Sequence, residues 1–307
     1  MPKTSNLGRH AYLIIAHNQF QQLGTLLSVL DDPRNDIFLH IDKKAEYSQK
    51  TSDFLKGCLK YSSLAEIPRL SVSWGGFSQI QAELSLFSAA AAGHYDYYHL
   101  LSGIDFPLKT QDEIHDFFNA HKGLEFVHFC EEEFQIKFED RLRYHWYFQD
   151  TLGRRHDFAA ERIRDLSTRL LNRQKKKGTD RLITGPFPIV RAGSNWVSLT
   201  DAFLQYLLTR KQDIEKAFKN TISGDEELVQ TVIFNSEFRG KLYFNSQEHP
   251  GNVRKIDWTR GNPYVWKNDD YQELMDSGCL FARKIIASED PELFRRLLQR
   301  VSEKEHR

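Results

Sequence analysis

The chain has 307 residues, with 42 Lys+Arg balanced by 42 Asp+Glu, so its formal net charge is zero. Without net charge there is no general electrostatic case for nucleic acid or an anionic membrane as partner, and any anion site must be local. The length is ample for a large core, and no run of about twenty apolar residues marks a membrane span.

Residues 11–18 form a short, branched apolar run ending in the polar pair His17 and Asn18, which suits a buried strand. Phe20, Leu23, Leu26, Leu27 and Leu30 follow at helical spacing. Residues 36–42 read as a second buried strand, and strand, helix, strand at this spacing is a βαβ unit of a parallel sheet. A lysine-rich helix or loop is then expected to about residue 64, a strand over 69–74, and a helix over 77–92 after the Gly75-Gly76 break. Residues 95–101 should form a strand that runs into small and polar residues at 102–107, followed by a helix over 113–121 and a strand over 126–130. Ligands of open α/β sheets bind outside the C-terminal strand ends. Asn18, Asp42, Trp74, Gly75, Gly76 and residues 102–105 should therefore line one edge.

From residue 131 the character changes, with carboxylates, arginines and aromatics mixed over 131–150. The stretch 154–177, beginning with Arg154 and ending with Lys177, is basic and amphipathic. A solvated helix is the simpler reading, and contact with a membrane surface is the other. Strand character returns at 183–191, 240–245 and 254–258, and helical character at 200–210 and 290–307. With no repeat and no low-complexity linker, one domain fits better than two. Cys58, Cys130 and Cys279 are far apart and lack metal-ligand spacing, as free thiols of a reducing compartment do. The N-terminal residues carry no signal-peptide apolar core, so the expected location is cytoplasmic.

Several chemistries lack their motif: there is no phosphate loop, no dinucleotide fingerprint and no nucleophile elbow. His40 and Asp42 share a strand face, but two ligands are too few for a structural metal, and a hydrogen-bonded pair is the simpler reading. Ser223 and Gly224 precede Asp225, Glu226 and Glu227 at a helix start. Carboxylates there either serve the free N–H groups and the macrodipole or place one general base at a cleft. Trp74 and Trp196 are either core or platforms for a sugar or nucleobase. Arg283 and Lys284 are either solvated charges or fixed cations that meet charge developing on a diphosphate leaving group.

Eight stretches taken in order, AYLIIAHNQF, FLHIDKKAEY, SVSWGGFSQIQAEL, YDYYHLLSGIDFPLKT, RAGSNWVSLT, SGDEELVQTVIFNS, KIDWTRGNPY and LFARK, resemble the core-2/I-branching β-1,6-N-acetylglucosaminyltransferase family, to which peptide O-xylosyltransferases belong. The resemblance runs from about residue 12 to about residue 284 and implies an α/β, GT-A-type fold with a mixed, mostly parallel sheet in a single domain. It implies an inverting transfer from a UDP-sugar, N-acetylglucosamine first, with UDP-xylose or UDP-glucose behind it, to a hydroxyl of a glycan or glycolipid acceptor, and no metal cofactor. The family's base lies five residues before a Thr, here Glu226 before Thr231. Arg283 and Lys284 take the place of its diphosphate-binding pair. His17, Asp42, Trp74, Ser194 and Trp196 fall on the donor side, Asp105 and Trp258 nearer the acceptor. Residues 10–125 would be the nucleotide-sugar half, 126–185 a variable acceptor-side segment, and 186–290 the catalytic and diphosphate-binding half. With few cysteines and no anchor, the chain resembles short bacterial members acting on polysaccharide or glycolipid intermediates. A catalytically inactive carbohydrate- or nucleotide-binding module on the same scaffold is the alternative.

Overall fold

A computed structural model describes residues 8–243 and 251–302. The βαβ unit is formed by β1 (His10–Ala16), α1 (Phe20–Leu30) and β2 (Asn35–Ile41). It is followed by α2 (Gln49–Gly57), β3 (Ser63–Glu66), α3 (Phe77–Ala90), β4 (Tyr97–Ser102), β5 (Phe106–Pro107) and α4 (Gln111–Ala120). The middle of the chain holds α5 (Glu132–Arg143), α6 (Gln149–Leu152), α7 (Phe158–Lys176), β6 (Ser198–Thr200), α8 (Asp201–Thr209), α9 (Lys211–Phe218) and α10 (Asp225–Phe234). It closes with β7 (Arg254–Ile256), α11 (Tyr271–Asp276), β8 (Phe281–Arg283) and α12 (Pro291–Ser302).

The main sheet has the order β3-β2-β1-β4-β6, and a smaller sheet has the order β5-β8-β7. β1, β2, β3 and β4 are parallel and β6 is antiparallel to β4, so the sheet is mixed and mostly parallel. Side chains alternate across a strand. Ala11 and Leu13 accordingly enter a core with Ile80 and Phe87 of α3, Phe203 of α8 and Leu228 of α10. Tyr12 and Ile14 enter a second core with Leu23 and Leu27 of α1, Phe118 of α4 and Leu297 of α12. Helices therefore cover both faces, which explains why β1 reads as a continuous apolar run. The helix starts are locally encoded: Thr110 and Glu113 form a capping box on α4, and the Thr200 hydroxyl accepts from Phe203 N on α8.

Three expected strands are absent. Residues 69–74 form no ladder, and the strand beside β2 is the half-exposed β3. The 69–74 segment is instead tied to the end of β2 by Leu70 N donating to His40 Nε2 at 3.0 Å and Lys43 N donating to Leu70 O at 2.9 Å. His40 is thus a buried structural acceptor. Residues 126–130 contribute a single bridge, Phe126 with Ser198, and 183–191 is irregular. Residues 237–241 form a 3-10 turn and Leu242 bridges Glu125, while residues 244 and 245 of that expected strand lie outside the described residues.

Candidate functional site

Parallel register brings the ends of β1, β2 and β4 to one edge, with Ala16 opposite Ile41 and Ile15 opposite Ser102. His17, Asp42 and residues 103–105 follow directly from those ends. The antiparallel β6 enters the sheet from the same edge, which places Ser194 and Trp196 there: Leu100 N donates to Val197 O at 3.0 Å. The small sheet adds Arg283 at the end of β8, where Ile285 N donates to Ile104 O at 2.9 Å.

Arg283 is the hub of this edge. Its guanidinium donates to Asp105 Oδ1 at 2.7 Å and to Ser102 Oγ, and lies 4.3 Å from the centre of the Trp196 ring. Asp105 is buried, and its second oxygen accepts from Ser102 N at 2.8 Å. Its carboxylate is occupied within the protein, where it anchors Arg283. Beneath it the buried Arg254 donates to Val197 O at 2.7 Å and Ser198 Oγ at 3.1 Å, a cation that sequence reading treated only as part of a strand. The two tryptophans separate: Trp196 is buried at 8% exposure, whereas Trp74 is 48% exposed.

Lys284 points away from its neighbour's partners and donates to Asn262 O at 3.3 Å. Partial burial lowers its proton affinity, and the nearby Arg283 and Arg154 lower it further against the opposing pull of Glu289. Asp42, half-buried, accepts from Lys44 N at 2.9 Å and Val72 N at 3.4 Å. His17 is exposed and Trp258 is 50% exposed. Among the described residues no hydrogen bond or ion pair joins either to the other site residues.

The acidic stretch forms the first turn of α10, and its geometry differs from a capped helix start. The cap residue is Gly224, without a side-chain cap bond. Ser223 takes a left-handed backbone, φ 50°, and its N–H donates to Gly75 O at 2.8 Å, docking the turn on the Trp74–Gly75 segment. Asp225 is buried and accepts from Gln79 Nε2 at 2.9 Å. Burial, then the adjacent Glu226 charge, pushes its carboxyl up to about 7. Glu227 is fully buried with neither oxygen hydrogen-bonded, and burial pushes it well above the usual carboxylate range. Glu83 of α3 is raised likewise, by burial and then by Asp225.

Glu226 is the exception in this cluster. Its side chain is 36% exposed and accepts from Arg141 Nη1 at 2.7 Å. Its carbonyl accepts from Gly193 N at 2.8 Å, and Gln230 Nε2 of the same helix donates to Ser194 O at 2.7 Å. The base candidate and the Gly193–Trp196 segment are thus one hydrogen-bonded unit. A Cβ at Gly193 would lie 1.8 Å from His128 O, so this approach requires glycine.

Sequence reading gave no site role to Arg141, Asp150 and Arg154. Asp150 of α6 accepts from Phe77 N, Ser78 N and Ser78 Oγ and so caps α3 from across the fold. Arg154 stacks on Trp74, 4.6 Å from the ring centre. A cleft of about 390 Å3 opens beside them, with Trp74, Trp146, Gln149, Arg154, His156 and Ile222 among its lining. Among the described residues there is no group of three or more His, Cys, Asp or Glu that could hold a metal ion, and no helix is long and apolar enough to cross a membrane.

The α/β sheet thus presents polar groups at its strand ends, a part-exposed carboxylate at Glu226 and cations at Arg283 and Lys284. The chain belongs to the Core-2/I-Branching enzyme family, whose sequence profile matches residues 10–277. It is 26% identical over 299 residues to Xylosyltransferase oxt of Drosophila melanogaster, covering 90% of this chain and 31% of that protein. It is 25% identical over 296 residues to the Homo sapiens N-acetyllactosaminide beta-1,6-N-acetylglucosaminyl-transferase, covering 89% of this chain and 67% of that one. The chain therefore spans about a third of the length of the xylosyltransferase it matches. Among solved structures, Core-mannan synthase A from Aspergillus fumigatus superimposes with a TM-score of 0.41 at 12% identity, over 81% of this chain and 77% of that one. The five-stranded sheet is mixed and mostly parallel, with helices on both faces, as the expected α/β fold requires.

Proposed function

We propose that this protein is an inverting, metal-independent glycosyltransferase that moves a sugar from a UDP-sugar to a hydroxyl of a glycan acceptor in polysaccharide or glycolipid synthesis. The observation that carries this reading is Glu226: of four clustered carboxyls it alone combines solvent access with a hydrogen-bonded ion pair, while Glu83, Asp225 and Glu227 are buried. Arg141 orients it, and Gly193 N fixes its backbone to the donor-side loop. As general base, Glu226 takes the proton from the acceptor hydroxyl while that oxygen attacks the anomeric carbon. One base and no covalent intermediate give inversion. Arg283 and Lys284 meet the charge that develops on the departing diphosphate, and Asp105 holds Arg283 in place.

N-acetylglucosamine is the first donor sugar on the strength of the beta-1,6-N-acetylglucosaminyl-transferase relative, and xylose is the second on the strength of the xylosyltransferase relative. Acceptor choice lies with residues 126–185, which supply most of the cleft wall. The test is a UDP-sugar panel with mass detection of released UDP and transferred sugar, run with and without EDTA. The expected result is turnover of UDP-N-acetylglucosamine, undiminished by EDTA. Turnover of UDP-xylose alone selects the second donor, and the absence of any turnover overturns the reading in favour of a binding module.

A further inference from the structure

The cleft beside Trp74, at about 390 Å3, is in the size range of small-ligand sites, and its walls come from distant parts of the chain. Gln149 Nε2 donates to Trp74 O at 3.0 Å and Ser73 Oγ donates to Asp150 O at 2.5 Å, so α6 and the loop after it are fastened to the Trp74 segment. Ile222 also lines the cleft. The next residue, Ser223, donates its N–H to Gly75 O at 2.8 Å, and its carbonyl accepts from Glu226 N at 3.2 Å. The cleft therefore abuts the turn that carries Glu226. Its charge is one-sided: Arg154, His156 and Arg164 line it, and no Asp or Glu does. Arg164 is matched by Glu161 at 2.6 Å, and His156 lies 4.0 Å from the same carboxylate. Arg154 is exposed and lies over the Trp74 ring, 4.6 Å from its centre. Among the described residues it takes part in no hydrogen bond or ion pair, whereas its neighbour Arg155 is paired with Asp157 at 2.8 Å. With Arg154 stacked on it, Trp74 still keeps 48% of its surface exposed. Apolar ring surface and an unpaired guanidinium thus stand side by side in one cleft.

We infer that this cleft is the acceptor subsite and that it takes a glycan carrying a carboxylate, a uronic acid residue, which Arg154 selects. This rests on the reading of the protein as a glycosyltransferase and names its acceptor class. Trp74, which the family resemblance put on the donor side, serves the acceptor here. The C–H face of the sugar packs on the Trp74 ring, and its carboxylate accepts from the planar guanidinium of Arg154 in a charge-assisted contact. A neutral sugar of the same shape keeps the stacking and lacks that contact. An anionic membrane fits less well, because the unpaired cation stands inside a cleft and the whole chain carries no net charge.

The experiment is calorimetric titration of the full chain, first with UDP and then, in saturating UDP, with hyaluronan and heparosan tetrasaccharides and their carboxyl-reduced forms. It is run on the wild type, Arg154→Gln, Arg154→Lys and Arg155→Gln. The wild type should bind an acidic tetrasaccharide about tenfold more tightly than its reduced form, the scale of one charge-assisted contact. Arg154→Gln should erase that preference and leave UDP affinity unchanged. Arg154→Lys should keep part of the preference, and Arg155→Gln should behave as the wild type does. Free glucuronate should compete better than glucose 6-phosphate. Equal affinity for acidic and reduced forms, or binding of neither, overturns the inference while UDP binding keeps the donor reading intact. Better competition by glucose 6-phosphate assigns the cleft to phosphate and also overturns it. So does wild-type binding to phosphatidylglycerol vesicles that Arg154→Gln abolishes, since that assigns the cation to a membrane. A wild type that binds no UDP removes the transferase reading and the acceptor role with it. Circular dichroism confirms that each variant is folded.

Discussion

The Arg283 guanidinium donates to the Asp105 carboxylate at 2.7 Å, with the two side chains only 16% and 3% exposed. Their separation of 178 residues means that the contact ties the β4 end to the small sheet. Breaking a buried pair by removing one partner leaves the other charge uncompensated. Asp105→Asn and Arg283→Met should each lower unfolding stability by about 3 kcal/mol or more, measured by urea denaturation. The double variant should lose less than the sum, since contacting residues are not additive. Additive losses would show that the pair is not coupled.

Asp150 serves the N-terminus of α3 through three hydrogen bonds. Removing a helix cap costs about 1 kcal/mol, and Asp150→Ala should lose at least that. It should also raise hydrogen exchange in residues 146–156 more than in β1 or β4, because the loop loses its fastening. A uniform rise across the sheet would contradict the local role.

Stability should fall as pH rises above about 6.5. Glu83, Asp225 and Glu227 have folded pKa values raised by burial, Asp225 to about 7 from 3.8. A raised carboxyl keeps its proton in the fold while the unfolded chain has lost it, so its stabilisation is full below the unfolded value and is lost as pH rises through the folded one. The buried His10, His99 and His115 act oppositely: burial lowers them, His115 to about 4 from 6.5. Their stabilisation is full above 6.5 and is lost as pH falls through each folded value, about 4 for His115. Between those values the two sets offset, and above 6.5 only the carboxyls act. Glu83→Gln should therefore show a smaller loss of urea midpoint from pH 6.5 to 8.5 than the wild type. Parallel curves would mean that Glu83 is already ionised in the fold.

Gly193→Ala places a methyl group against His128 O and should push the Gly193 N–H away from the Glu226 carbonyl. Overpacking typically costs about 1–3 kcal/mol. Here kcat should fall more than UDP affinity, since the displaced group carries the proposed base. An unchanged kcat would show that the backbone link does not position Glu226.

The sheet edge was legible because parallel strands buried on both faces leave uninterrupted apolar runs that stop where polar residues begin, as after Ala16, Ile41 and Ser102. β3 was not, because it is a short, half-exposed edge strand without an apolar pattern, while residues 69–74 have the composition of a strand but bond to the His40 side chain. Glu226 stood out through its motif, and the structure separated it from Asp225 and Glu227 by burial. Arg141 and Asp150 gave no local signal, and Arg154 was read only as the start of a basic stretch. They act across the fold, Arg141 on a partner 85 residues away and Asp150 on one 72 residues away, and only packing reveals such pairs. The buried Arg254 and Asp105 carry the same lesson: charged residues in or beside a strand show no sequence mark of being inside.

The most direct test of Glu226 as the base compares Glu226→Gln with the wild type in two assays: calorimetric UDP binding, and transfer from the donor that the wild type uses. The amide keeps the shape and cannot take the acceptor proton. UDP affinity should stay within about threefold, and transfer should fall by about 100-fold or more, the scale of general-base catalysis. Transfer that survives in Glu226→Gln at wild-type rate would contradict the assignment.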